Sequence, residues 1–75
     1  MYDIDVAKTG KRLRELRQAK GLTRQNACDI LACTKESMRR WEVGLNLPSI
    51  NYLLDMTEVY GVEQVEDLLI ARKRG

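Results

Sequence analysis

A chain of 75 residues has room for one domain and none for a separate effector-binding or catalytic domain. It has no Phe, one Pro and 32% charged residues, and lacks the long β-branched and aromatic runs of a sheet protein, so the expected class is all-α. The formal net charge is only +2, and two Cys without any His exclude both a zinc ligand set and a disulfide framework.

Residues 1–7 (MYDIDVA) read as a short N-terminal arm, either extended or an early start to the first helix. From Lys8 to Lys20, Leu13 and Leu16 lie three apart, Gly10 and Ala19 extend their stripe, and Gly21 closes the helix. Thr23 is a good N-cap for a helix of about two turns, RQNACDIL, with Ala27, Cys28 and Leu31 on one face. Thr34 caps a third helix, 35–43, which turns Met38 and Trp41 inward and leaves Lys35, Glu36, Arg39 and Arg40 outside. Gly44 ends it. After the loop LNLP, Pro48-Ser49 signals a fourth helix, where Ile50, Leu53, Leu54, Met56, Thr57 and Tyr60 form a wide apolar stripe. Val65, Leu68 and Leu69 predict a fifth helix, followed by a basic tail, residues 72–75, with Arg72, Lys73 and Arg74. The expected architecture is a compact bundle of five short helices forming one domain, 1–75.

The charges are unevenly placed. Residues 8–24 set Lys8, Lys11, Arg12, Arg14, Arg17, Lys20 and Arg24 against Glu15 alone, whereas residues 43–71 hold Asp55, Glu58, Glu63, Glu66 and Asp67 and no Lys or Arg. Such a distribution either draws a polyanion to one side of the molecule or is an incidental solvated surface. Cys28 and Cys33 read as small buried apolar groups in a reducing cytoplasm, and no apolar run reaches the length of a signal peptide or membrane span. A soluble cytoplasmic protein with no cofactor, no metal and no membrane partner is expected.

Residues 23–44 carry the most information. Two short helices, each with its own Thr cap, are separated by a tight turn, and the second is apolar inside and cationic outside. That is the requirement of a helix-turn-helix, where one helix props the other so that its outer face enters the major groove of B-DNA.

The segments GKRLRELR, KGLT, RRWEVG and PSINYLL follow one another at a spacing that resembles the phage repressor and Cro-type (XRE) helix-turn-helix family, over about residues 9–69. The resemblance implies a lambda-repressor-like fold and a double-stranded DNA partner. It places Lys35, Glu36 and Arg40 at positions that touch bases, with Arg39 and Thr34 beside them. The chemistry of the residues agrees: Lys and Arg suit guanine O6 and N7, and a carboxylate accepts from cytosine N4. For Glu36 the competing assignment is service to the helix dipole or a pair with Arg40 at i+4. Arg24, Gln25, Thr34, Ser37, Arg17 and Asn46 are the implied contacts to the DNA backbone. Arg17 and Glu42 match a family salt bridge, so Arg17 is expected to be partly structural and partly phosphate-facing.

Three features depart from the family pattern. Ala32 stands where the turn usually has Gly, the loop LNLP lacks its usual cation, and one extra residue precedes the last helix. The resulting expectation is a sequence-specific transcriptional regulator, most simply a repressor, working as a homodimer. Val65, Leu68 and Leu69 are the candidate contact patch, with packing of Val65 and Leu68 on the domain's own core the alternative. A protein-interaction module or antitoxin-like partner with weak or no DNA binding is the alternative. No nucleophile–base pair or Gly-rich phosphate loop suggests an enzyme.

Overall fold

Every helix begins where a short polar side chain can take over an orphaned backbone amide. In the computed structural model, which describes residues 1–75, Asp5 accepts from the Lys8 amide at 2.9 Å and starts α1, Val6–Ala19. Thr23 accepts from Asn26 at 3.0 Å to start α2, Arg24–Leu31, and Asn26 returns the bond to the Thr23 amide, completing a capping box. Thr34 accepts from Ser37 at 3.1 Å to start α3, Lys35–Glu42. Ser49 does the same for Tyr52 at 3.5 Å ahead of α4, Ile50–Tyr60.

The four helices close over Leu13, Ala27, Cys28, Leu31, Met38, Trp41, Leu53, Met56, Tyr60 and Leu68. Each fully buried Leu or Met in this set contributes about 1.5–3 kcal/mol through removal from water. Close approach of α1 and α3 requires the bare backbone of Gly10, where a Cβ would collide with the carbonyl oxygens of Trp41 and Glu42. At Gly44 a positive φ of 84° combines with contact against Ala7, so the exit from α3 is packed on the first turn of α1.

The fifth helix does not form, and the fold is not purely α. Residues Val65–Asp67 make one 3-10 turn, and the chain then extends into a strand, β2, Ala71–Lys73. This strand pairs antiparallel with β1, Tyr2–Ile4, in the register Tyr2 to Lys73, Asp3 to Arg72 and Ile4 to Ala71. The N-terminal arm and the basic tail are therefore one ribbon. Tertiary bonds explain the change. The Ile70 amide donates to Thr9 Oγ1 at 2.9 Å, the Ile70 carbonyl accepts from the Asp5 amide at 2.7 Å, and Arg12 Nε donates to the Asp67 carbonyl. A continuing helix would commit those backbone groups to its own ladder.

The stripe on α4 is also narrower than expected. Leu53, Met56 and Tyr60 are buried, but Ile50 and Leu54 remain 60% and 53% exposed. At the other end, Leu68 is fully buried, with Val65 and Leu69 packed half-buried against the same core. Of the C-terminal patch expected for a homodimer, Leu68 is thus taken up by the domain's own interior, while Val65 and Leu69 keep part of their surface outside. No helix is long and apolar enough to cross a membrane.

Candidate nucleic-acid interface

The turn between α2 and α3 is kept tight despite its missing glycine. Ala32 adopts φ 56°, ψ 46°, the left-handed conformation, and the Cys33 amide donates to the Cys28 carbonyl at 3.1 Å. These are the features of a Schellman closure, in which the residues at its two ends commonly touch; here they are Cys28 and Cys33. Burial, followed by the hydrogen bond with Cys28, pushes the Cys33 thiol up to about 11. Tyr52 on α4 supports the turn from outside: its hydroxyl donates to the Ala32 carbonyl at 3.2 Å, while its ring lies 4.9 Å from that of Trp41. Tyr52 was not singled out from sequence, because its two partners come from distant elements.

Met38 and Trp41 are 1% and 6% exposed, so the inner side of α3 is fixed in the core. Helical geometry then places Lys35, Glu36, Arg39 and Arg40 on one outward arc, and all four are exposed. Val43 shares that arc at 51% exposure, an apolar member missed in the sequence because Val looks like core. Its methyl groups suit a thymine methyl.

Glu36 is not free. Arg39 donates to it twice, at 2.7 and 3.1 Å, and Arg40 lies 3.9 Å away. The Arg39 hydrogen bonds hold the Glu36 carboxyl below its ordinary range. Lys35 is the end of the arc outside this cluster. At the start of α3, Thr34 serves as cap and also donates to the Ser37 hydroxyl at 2.9 Å.

Behind the arc, Glu42 is 5% exposed and joins α1, α2 and α3. Arg17 donates to it at 2.7 and 3.1 Å and to the Leu22 carbonyl at 2.7 Å. The Glu42 hydrogen bond raises the Arg17 guanidinium above its usual value. With all three side-chain nitrogens bonded inside the protein and the side chain 7% exposed, Arg17 fills the structural half of its expected role. Arg24 adds a third bond to Glu42 at 2.9 Å but keeps 37% of its side chain exposed at the start of α2. Gln25, beside it, is exposed and donates to Asp29 at 2.7 Å. Asn46 is exposed on the loop after α3. Thus Arg24, Gln25, Thr34, Ser37 and Asn46 flank the arc formed by Lys35, Glu36, Arg39 and Arg40.

The buried Tyr60 hydroxyl has no hydrogen-bond partner. Burial and then the nearby Glu42 charge raise its pKa well above the usual phenol value.

Comparison with known proteins agrees with this geometry. A family model described as a helix-turn-helix domain matches residues 9–69. Among solved structures, the restriction-modification controller protein C.AhdI from Aeromonas hydrophila superimposes with a TM-score of 0.76 at 30% sequence identity, covering 85% of this chain and 96% of that one. A comparison with curated proteins returned no significant match. The turn, the buried inner side of α3 and these two matches together establish that the chain belongs to the helix-turn-helix domain family of phage repressor and Cro (XRE) type, whose work is DNA binding and transcription regulation.

Proposed function

We propose that the protein is a sequence-specific transcriptional regulator that inserts α3 into the major groove and represses by occupying its site. The observation that carries this reading is the outward arc of Lys35, Glu36, Arg39 and Arg40 on a helix locked from behind by Met38 and Trp41. Pre-positioned side chains lose little freedom on binding, and a good contact to a base edge supplies about 1–3 kcal/mol of discrimination. Arg40 and Lys35 read guanine acceptors; Glu36, once its arginine partners turn to DNA, accepts from cytosine. Arg24, Gln25, Thr34, Ser37 and Asn46 hold backbone phosphates, helped by the amides at the start of α2. Similarity to a restriction-modification controller protein supports a regulatory role.

The regulator works as a pair of copies on a two-fold site, with recognition helices about 34 Å apart. Exposed Ile50 and Leu54, one turn apart on α4, offer the apolar surface for that pairing in place of the buried Leu68. Two observations favour a second reading as an interaction module: Arg39 and Arg40 are already engaged by Glu36, and the loop after α3 has no cation.

Fluorescence anisotropy with mixed duplex DNA over a salt series separates the two. The regulator binds with log K falling against log salt by several units. Absence of binding at low salt overturns the DNA reading and leaves the interaction module.

A further inference from the structure

The ribbon of β1 and β2 lies outside the core of the matched domain, which spans residues 9–69. Every residue of β2 is exposed, and the ladder is prolonged by the Arg74 amide donating to the Met1 carbonyl at 2.8 Å. Alternation puts Arg72 and Arg74 on one side with Asp3, and Lys73 on the other beside Tyr2, which is 71% exposed. Arg74 meets Asp3 at 3.4 Å, so one carboxylate opposes three cations and leaves Arg72 and Lys73 unneutralised.

Placement gives these charges meaning. The ribbon is tied to the start of α1 by the bond from the Asp5 amide to the Ile70 carbonyl, and the first turn of α1 packs on Gly44 at the exit of α3. It therefore stands at the same end of the molecule as the loop bearing Asn46. That loop has no Lys or Arg, so the cations at this end are those of the ribbon together with exposed Lys8 on the first turn of α1.

We infer that the β1–β2 ribbon is a second anchoring surface for duplex DNA, with Arg72 and Lys73 holding backbone phosphates that flank the base pairs read by α3. The inference rests on the proposed DNA-binding role. Its occupant is the same polyanion, chosen by charge complementarity, and the contact is independent of base sequence.

The test is the Arg72→Gln/Lys73→Gln double variant, which retains the backbone of β2. Anisotropy would be measured over a salt series on a duplex extending well beyond the bound site, alongside hydroxyl-radical footprints, circular dichroism and sedimentation. The expected result is a slope of log K against log salt shallower by about 2, with loss of protection at the flanks and unchanged preference between sequences. Asp3→Asn, which releases Arg74, is expected to tighten binding to all duplexes. Wild-type affinity, slope and footprint retained in the double variant would overturn the inference while leaving the α3 reading intact. Altered self-association with an unchanged slope would also overturn it, in favour of ribbon pairing between copies. Failure of the wild type to bind DNA at all would sink both readings.

Discussion

Ala32 occupies backbone space that normally belongs to glycine, at φ 56° and ψ 46°. Its Cβ costs roughly 1–2 kcal/mol there, a strain that the Cys33–Cys28 backbone bond and the Tyr52 hydroxyl together hold in place. Ala32→Gly should stabilise the fold by about 1 kcal/mol, raising Tm by several degrees in a thermal melt, without altering DNA preference. Glu42 works in the opposite direction. Glu42→Gln strips the charge that neutralises buried Arg17 and should cost about 3–5 kcal/mol, enough to leave a domain of ordinary stability partly unfolded in a denaturant titration. At Cys33, burial shifts the thiol from 9.0 to about 11, so the folded state holds its proton more tightly than the unfolded chain. Stability from this group is present below about pH 9 and is lost as pH rises through 9 to 11. Alkylation of Cys33 at pH 8 should accordingly run markedly slower in the native protein than in denaturant.

At the scale of elements, α2 and α3 divide the work between anchoring and reading. Arg40→Ala should relax preference at one base-pair position, whereas Arg24→Ala should weaken every duplex alike and make the salt slope shallower by about 1. Because Arg24 also bonds Glu42, both affinities must be normalised to the folded fraction. The helix-turn-helix was legible because its signals are local: Thr23 and Thr34 cap within four residues, and Met38 and Trp41 recur at helical spacing. The C-terminal segment was misread for the complementary reason. Val65, Leu68 and Leu69 have helical spacing, but the chain after Leu69 is governed by Asp5, Thr9 and a strand near the N-terminus. Those partners lie more than sixty residues away, beyond the reach of any periodicity. Likewise, nothing local distinguishes Leu53, which is buried, from Leu54, which points to solvent. The bond from Arg24 to Glu42 was missed because the partners of Glu42 come from two different helices.

For the molecule as a whole, charge distribution sets how binding responds to conditions. The chain has no His, and the carboxylate on the outward arc is held below its normal range by Arg39. Base preference set by the arc should therefore stay flat between about pH 6 and 8 in anisotropy measurements, since the arc carries no His and its carboxylate is already ionised. On further acidification, protonation of Glu36 frees Arg39 and Arg40. Non-specific binding should then tighten while selectivity falls. Salt acts on the opposite balance, weakening phosphate contacts and leaving the discrimination between bases.

The most direct measurement begins with a site selected from random duplexes by the wild-type protein. Each base pair of one half-site is then substituted in turn, and binding is compared for the wild type and Arg40→Ala. The expected result is that the variant loses about 1–3 kcal/mol of discrimination at one position and keeps it elsewhere. Equal loss across all positions, or a selection that yields no common sequence, would contradict a reading edge on α3.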